Sequence, residues 1–392
     1  MVGPPGAGKT TYCNGMQQYL NAIGRKCLVV NLDPANEYPN TNNNGANNNN
    51  EKNDDNNTDN DYGLPYDTVV DVATEIISAS AVMEELDLGP NGALLYCMEY
   101  LDHHFDEVIQ LINQKLSADG GDDDYTYILF DVPGQVEVFT HTNYLSNMIQ
   151  KLTNPETEDY RLCSVQLIDA HHCSDSYKFI GSVLLVMTTM LRLELPAVNV
   201  LSKVDLLSQY GQDMAFNLEF FTQVHDLREL LDYLDDPAPG TNSSDDSNRG
   251  DGVYSDHQCS SSWVDDEEYQ RARQKVRNGK FHRKHRKMHS ELCDIIEDFS
   301  LVSFLPLNIQ DAESVGRVVA RIDKANGYVF GLNEIKNQEK QSKHVSHLFQ
   351  CAAQADDGEW MFEQALSVQE RYMDKALIGS VSSNAEKSKK AS

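Results

Sequence analysis

The chain has 392 residues and a formal net charge of −29, with 61 acidic residues against 32 basic ones. An acidic surface argues against direct, non-specific binding to nucleic acid, and eight scattered cysteines without a C-x-x-C pair indicate reduced, intracellular thiols rather than a disulfide framework. The longest apolar stretch, residues 180–191, is too short to span a bilayer, so we predict a cytoplasmic protein with no membrane partner.

The first predicted element is a phosphate-binding loop, because residues 3–10 read GPPGAGKT. Glycines allow backbone N–H groups to turn inward around a β-phosphate. Lys9 can then reach the β- and γ-phosphate oxygens, and the Thr10 hydroxyl can bind Mg²⁺. The residues that we expect to contact the nucleotide here are Gly3, Pro4, Pro5, Gly6, Ala7, Gly8, Lys9, Thr10 and Thr11.

Strand-like apolar runs alternate with helical stretches along the rest of the chain. A helix over 11–22 leads into a strand that ends at Asp33, and further strands are predicted over 125–131, 162–169, 198–202 and 301–306. This alternation predicts an α/β fold with a doubly wound, mostly parallel sheet and helices on both faces. A phosphate-binding loop normally follows a central strand. Because Met1 and Val2 are too few to form one, we expect that first strand to be truncated.

Composition divides the chain into one domain and a tail. We assign residues 1–330 to a nucleotide-binding domain interrupted by two low-complexity inserts, at about 40–61 and 235–262, which are Asn-rich and acidic. Such segments bury too little apolar surface to fold, so we expect them to be disordered and dispensable. Residues 331–392 are predicted to form a polar tail, partly helical and otherwise disordered. The basic run 271–287 is interpreted as a solvated helix, with a nuclear-localisation patch as the alternative.

The carboxyl ends of two predicted strands carry the residues that we expect to perform chemistry. Asp131 ends one strand and is placed to hold Mg²⁺ together with Thr10, and the N–H of Gly134 can approach a γ-phosphate. Gln135 and Glu137 follow where a group that orients water would lie. Asp33 ends another strand and could face the metal or the attacking water. A single aspartate at such a position is otherwise a turn or helix cap.

Residues 202–205 read SKVD, a variant of the [NT]-K-x-D guanine motif. The Asp205 carboxylate can accept both the N1–H and the N2–H of guanine, which adenine does not offer. The Lys203 stem would pack over the ring, and Ser202 replaces an asparagine whose amide would brace the loop. Leu307, after the last strand, lies where a final loop would contact the base. The sequence therefore predicts GTP rather than ATP.

Five motifs taken together resemble one family. GPPGAGKTT, LDPANE, GPNG, DVPGQVE and SKVD are similar to the motifs of the GPN-loop GTPases. The resemblance covers roughly residues 3–37, 64–230 and 285–330. It implies that the domain at 1–330 has a P-loop GTPase fold, with GTP as substrate, Mg²⁺, and a homodimer or a heterodimer with another GPN-loop GTPase. It also implies that Asn91 of the GPNG loop enters the partner's nucleotide site, where the residues alone indicate only a turn between helices.

The same resemblance implies a role in the assembly and nuclear import of RNA polymerase II, and hence a cytoplasmic protein that can shuttle to the nucleus. We predict a dimeric switch that binds and hydrolyses GTP, with catalytic roles for Lys9, Asp33, Asn91, Gln135 and Glu137. No arginine finger is evident, so Lys9, Mg²⁺ and backbone amides would stabilise the transition state. Two alternatives stay open: a P-loop kinase for a small molecule or nucleic acid, and a non-catalytic scaffold that needs GTP only to fold and dimerise.

Overall fold

The computed structural model describes most of the predicted domain and a short part of the tail. The described residues are 1–36, 64–118, 126–154, 160–210, 214, 216–233, 280–328, 365–369 and 371–372. Both predicted inserts, at 40–61 and 235–262, lie outside the described residues, and so does most of the tail. Their expected disorder and the domain boundary at residue 330 therefore stay predictions.

The described residues contain six strands, and every strand pair is parallel. The strands are β1 (Cys27–Asn31), β2 (Thr68–Asp71), β3 (Tyr127–Asp131), β4 (Ser164–Asp169), β5 (Ala197–Ser202) and β6 (Phe304–Pro306). They form two three-stranded sheets with the orders β2-β1-β3 and β4-β5-β6. The sequence pattern did not predict β2, because this four-residue edge strand fully buries only Val70 and pairs with β1 through an irregular register.

Residues 1 and 2 lie between β3 and β4. The amino group of Met1 donates a hydrogen bond to the Phe130 carbonyl at 2.8 Å. The Val2 N–H donates to the Val165 carbonyl, and the Val2 carbonyl accepts from the Leu167 N–H, both at 2.9 Å. We expected these two residues to supply no strand, yet they make a parallel bridge to β4 and place the phosphate-binding loop between the two sheets.

Helices cover both faces of the strands, and the predicted doubly wound α/β fold is confirmed. The helices are α1 (Lys9–Ala22), α2 (Val72–Glu75), α3 (Ala79–Leu86), α4 (Pro90–Ala118), α5 (Val136–Thr140), α6 (Tyr144–Thr153), α7 (Ser176–Leu193), α8 (Leu207–Tyr210), α9 (Leu218–Gln223), α10 (Leu230–Tyr233), α11 (Lys280–Phe299) and α12 (Ala312–Ala325). Short 3₁₀ turns follow β4 and β5.

The core has two layers, one on each side of the strands. On one side α1 and α12 pack against alternate strand residues such as Val200. On the other side α4, α5 and α6 pack over β1–β3, while α7, α9 and α11 pack over β4–β6 and contact Leu201. Adjacent residues of β5 thus face opposite layers, as the two-residue period of a strand requires.

We expected the apolar stretch 180–191 to be too short to span a bilayer, but helix α7, which contains it, is long and apolar enough by length and composition alone. A core helix of a soluble protein passes the same test, and α7 packs on the sheet through Phe179, Val183 and Val186. Burial against β4–β6 therefore accounts for the apolar residues on one face of α7.

Part of the predicted tail packs on the domain. Residues 365–369 are helical, and Ala365 and Val368 are buried. The N–H of Leu218, at the start of α9, donates to Gln369 Oε1 at 3.3 Å. The Asn308 amide donates to the Tyr372 hydroxyl at 2.6 Å, which links the tail to the loop after β6.

A buried ion pair joins α12 to the loop that follows α1. The Arg25 guanidinium, just after α1, donates to both carboxylate oxygens of Asp323 in α12, at 2.7 and 3.1 Å. Both side chains are largely buried. The bidentate geometry fixes α12 against the loop between α1 and β1.

We expect Asp323→Ala to lower the free energy of unfolding by about 3–5 kcal/mol, because Arg25 would stay buried without its counter-charge. Urea unfolding checks this. The matched control is Glu313→Gln, which removes one partner of the more exposed Arg317 pair on the same helix and should change stability by about 0.5 kcal/mol or less. Equal losses in the two variants would contradict the prediction.

Candidate functional site

The phosphate-binding loop has the backbone conformation that its glycines permit. Gly6 and Gly8 have φ angles of 78° and 92°, in the left-handed region that side chains with a Cβ rarely adopt. Helix α1 begins directly after Gly8, at Lys9. The positive end of the helix dipole and its free N–H groups therefore lie at the loop, which is a suitable place for an anion such as phosphate.

The Lys9 side chain lies beneath the loop. Its residue is 9% exposed, and its ammonium donates to the Gly3 carbonyl at 3.2 Å and, more weakly, to the Pro4 carbonyl at 3.5 Å. A Cβ on Gly134 would lie 2.6 Å from Lys9 Nζ and 3.3 Å from the Pro5 Cα, so a larger residue here would displace the lysine ammonium and press on the loop. Burial lowers the pKa of Lys9, an effect that the charge of Asp131 partly opposes.

Two carboxylates stand beside this lysine. Asp131, at the end of β3, is 1% exposed and accepts a hydrogen bond from the Tyr66 hydroxyl at 2.9 Å. Burial raises the pKa of Asp33, and the nearby charge of Asp131 raises it further, whereas a hydrogen bond from the Ala35 N–H and the charge of Lys9 lower it. Burial and the charge of Asp131 also raise the pKa of Tyr66, so its hydroxyl stays a donor at neutral pH.

Thr10 and Asp131 fit a magnesium ion by the chemistry of their donors. A hydroxyl and a carboxylate are hard oxygen ligands, and Mg²⁺ usually takes only one or two such protein groups, with phosphates and waters as the rest. No group of three or more His, Cys, Asp or Glu residues suited to a metal occurs in the described part of the chain. A Mg²⁺ role for Thr10 and Asp131 stays a prediction.

Ser202 contributes differently from our expectation. We expected the serine to remove a brace from the loop, but its hydroxyl lies 2.8 Å from the Ala7 carbonyl and 3.0 Å from the Ile168 carbonyl. The short side chain thus connects the end of β5 to both the phosphate-binding loop and β4. A hydroxyl only one carbon away from the backbone reaches these carbonyls because β4 and β5 pair in register at this edge.

The Lys203–Asp205 segment lies against the same loop. Lys203 has a left-handed backbone conformation (φ 59°), and its ammonium donates to the Gly6 carbonyl at 2.6 Å and to the Asp169 carboxylate at 2.8 Å. Asp205 is half-buried, and its carboxylate has no hydrogen-bond or ion-pair partner among the residues that the structure describes. An unpartnered acceptor therefore lies two residues after the lysine that contacts the phosphate-binding loop.

Leu307 supports this segment through its backbone. Its side chain is buried in the layer of α1 and α12. Its N–H donates to the Leu201 carbonyl at 2.8 Å, and its carbonyl accepts from the Val204 N–H at 3.4 Å. These contacts hold the loop after β6 next to the Lys203–Asp205 segment, and the predicted contact with a base stays a prediction.

The remaining predicted residues lie at helix starts. Gln135 precedes the first residue of α5, and its buried Oε1 has no hydrogen-bond partner in the described ranges. Glu137 is exposed in the first turn of α5. Asn91 is exposed in the first turn of α4, where Pro90 is the first residue, as helix starts favour. No hydrogen bond joins Asn91 to its own phosphate-binding loop within the described residues.

Pro4, Pro5 and Thr11 complete the predicted nucleotide contacts, and all three lie in the loop or in the first turn of α1. Tyr66 was missed, because a single tyrosine after a long insert carries no recognisable motif. A parallel α/β sheet with a glycine-rich loop, a buried lysine and a strand-end aspartate at one edge defines the class: a P-loop nucleotide-binding protein.

Comparisons with known proteins identify the family within this class. A family described as "Conserved hypothetical ATP binding protein" matches residues 1–44 and 57–328. The chain is 38% identical to GPN-loop GTPase 2 from Danio rerio, over 95% of this chain and 91% of that protein. It is 39% identical to GPN-loop GTPase QQT1 from Arabidopsis thaliana, over 95% of this chain and 96% of that protein. The chain belongs to the GPN-loop GTPase family, which confirms the resemblance.

More distant relatives align as well. GPN-loop GTPase 2 from Saccharomyces cerevisiae is 34% identical, over 86% of this chain and 76% of that protein. A solved GTPase in apo form from Pyrococcus abyssi is 19% identical, over 83% of this chain and 95% of that chain, with a TM-score of 0.48. That score is too low to bear on the geometry of the site.

We expect Asp33→Asn to raise the melting temperature of the nucleotide-free protein at pH 7. The folded state raises the pKa of Asp33 above its ordinary value of 3.8, so the folded state binds this proton more tightly than the unfolded state, and ionisation opposes folding. Asparagine keeps an oxygen that can accept from the Ala35 N–H. The advantage of the variant should shrink as the pH falls towards 3.8.

Thermal melts of both proteins across this pH range, without nucleotide, measure the effect. Asp298→Asn, at an exposed position of α11, is the control and should melt like the wild type. A variant Asp33→Asn that melts below the wild type at pH 7 would show that the carboxylate stabilises the empty site.

Proposed function

We propose that this chain is a Mg²⁺-dependent, dimeric GTP switch that serves the assembly and nuclear import of RNA polymerase II. As a GPN-loop GTPase, it binds and hydrolyses GTP. The dimer, the polymerase and shuttling from the cytoplasm to the nucleus come from the motif resemblance. The nucleotide chemistry is supported by the contacts at the strand ends.

The guanine preference is supported best by one observation: the half-buried Asp205 carboxylate has no partner among the described residues and follows two residues after Lys203, which contacts the phosphate-binding loop. Such a group gains two charge-assisted hydrogen bonds from guanine N1–H and N2–H, and none from adenine. The matching family carries ATP in its description, but the aligned relatives are named GTPases. The acceptor at Asp205 favours the guanine nucleotide.

The phosphate side of the site accounts for hydrolysis. The loop amides and Lys9 bind the phosphates, and Thr10 and Asp131 would hold Mg²⁺, which neutralises charge on the β- and γ-phosphates when it is bound. Gln135 Oε1, buried and without a partner among the described residues, can accept a hydrogen bond from a water molecule. We assign it, with Glu137 and Asp33, to the orientation of the attacking water.

Nucleotide competition tests the base assignment. Asp205→Asn should weaken GTP binding by roughly 10- to 100-fold, because a hydrogen bond to a charged group contributes about 1.5–3 kcal/mol, and should improve binding of xanthosine triphosphate, whose altered edge suits an amide. Displacement of a labelled guanine nucleotide by GTP, ATP and xanthosine triphosphate measures both effects. Asp298→Asn is the control. A wild-type protein that binds ATP as tightly as GTP would refute the guanine assignment.

The dimer is tested through Asn91. Loss of one donor to transition-state charge typically costs about 10²–10³ in rate, so Asn91→Ala should reduce hydrolysis by that order. GTP affinity should stay nearly unchanged, because Lys9 and the loop amides provide ground-state binding. Gln114→Ala, an exposed amide on the same helix, is the matched control and should hydrolyse GTP at the wild-type rate.

Mixing the Asn91→Ala protein with a Lys9→Ala protein gives the sharper result. One composite site of such a mixed dimer would contain an intact Lys9 and an intact Asn91 from the partner, so part of the activity should return. Unchanged hydrolysis by Asn91→Ala alone would contradict the role of Asn91 in the partner's site, and the GPNG segment would then only connect α3 to α4.

A further inference from the structure

The hydroxyl of Tyr66 contacts the carboxylate to which we assign the metal. Tyr66 is 5% exposed, and its hydroxyl donates to Asp131 Oδ2 at 2.9 Å. The Asp131 residue is itself 1% exposed. A buried carboxylate with a fixed donor on one oxygen has restricted rotation, so its other oxygen keeps a defined direction. Partners of this kind orient metal ligands and tune their affinity in many proteins.

Tyr66 is itself held in place by helix α1. The amide of Gln17, which is buried in α1, donates to the Asp67 carbonyl at 2.8 Å, and its Oε1 accepts from the Asp67 N–H at 2.9 Å. This pair of hydrogen bonds fixes the backbone next to Tyr66, just before β2. The phosphate-binding loop lies at the start of the same helix. Helix α1 therefore positions both the phosphate-binding residues and the tyrosine that contacts Asp131.

We propose that Tyr66 is a positioning residue that orients the Asp131 carboxylate for Mg²⁺ and connects the metal site to the chain segment entering β2. The inference rests on the proposed function, because it takes Asp131 as a metal ligand. Two consequences follow. Loss of the hydroxyl should weaken Mg²⁺-dependent nucleotide retention, and bound Mg²⁺ with nucleotide should protect the backbone of residues 64–71.

The chain offers a matched control for Tyr66→Phe. Tyr12 in α1 is also buried, and its hydroxyl has no hydrogen-bond partner in the described part of the chain. Tyr12→Phe and Tyr66→Phe each remove one buried hydroxyl and keep the ring, but only the second removes a contact with Asp131. A difference between them therefore reports on that contact.

The experiment measures the Mg²⁺ concentration at which half of a bound fluorescent, non-hydrolysable GTP analogue is retained. Tyr66→Phe should raise this concentration by about 10- to 100-fold, Tyr12→Phe should leave it unchanged, and affinity in EDTA should be equal for all three proteins. Gln17→Met removes the hydrogen bonds to the Asp67 backbone and leaves the Tyr66–Asp131 contact in place. This variant should also raise the half-retention Mg²⁺ concentration, by a smaller factor. Hydrogen exchange of residues 64–71 should slow with Mg²⁺ and the analogue in the wild type, and less in Tyr66→Phe.

A double-mutant cycle makes the test specific. In an Asp131→Asn background, Tyr66→Phe should cause no further change, because the metal ligand is already lost. An unchanged half-retention concentration in Tyr66→Phe, or a shift that persists in the Asp131→Asn background, would overturn the inference alone. A wild-type protein without Mg²⁺-dependent retention of the analogue would overturn the proposed function as well.

Discussion

The structure of the site depends on three carbonyl groups of the phosphate-binding loop, each held by a side chain. Lys9 binds the carbonyl of Gly3, Lys203 binds that of Gly6 and Ser202 binds that of Ala7. Two of these donors come from the segment assigned to the base, at the end of β5. The phosphate-binding loop and the segment that we assign to the base are therefore linked by direct hydrogen bonds, so a shift in one must disturb the hydrogen bonds of the other.

The same edge of the sheet concentrates charge that opposes folding. Lys9, Asp33 and Asp131 are close enough for their charges to interact, and burial lowers the pKa of Lys9 and raises that of Asp33. Burial of the ionised Lys9 and Asp33 side chains costs free energy that a bound ligand would offset. Stability and ligand binding are coupled in such a site, since a ligand that binds only the folded state stabilises it by mass action.

Features carried by local sequence patterns could be predicted. The phosphate-binding loop, five of the six described strands and the alternation that gives a doubly wound sheet all follow from glycine spacing and apolar runs, although strand ends moved by a few residues. Strand β2 could not be predicted, because its four residues show no clear apolar alternation. The contact of Tyr66 with Asp131 joins residues 65 positions apart, and the contact of Ser202 with Ala7 joins residues 195 positions apart. Local sequence patterns do not reveal contacts over such distances in the chain.

Residues distant in the chain support the two halves of the site separately. The phosphate half is built from the first 135 residues or so, including α1, Tyr66, Asp131 and the loop after β3. The segment that we assign to the base depends on later elements: the backbone of Leu307 is hydrogen-bonded to that of Leu201 and Val204. Further out, Asn308 binds Tyr372 of the tail. Lys203 and Ser202 connect these late elements to a loop at the start of the chain by hydrogen bonds. The complete site therefore requires both three-stranded sheets to be assembled together.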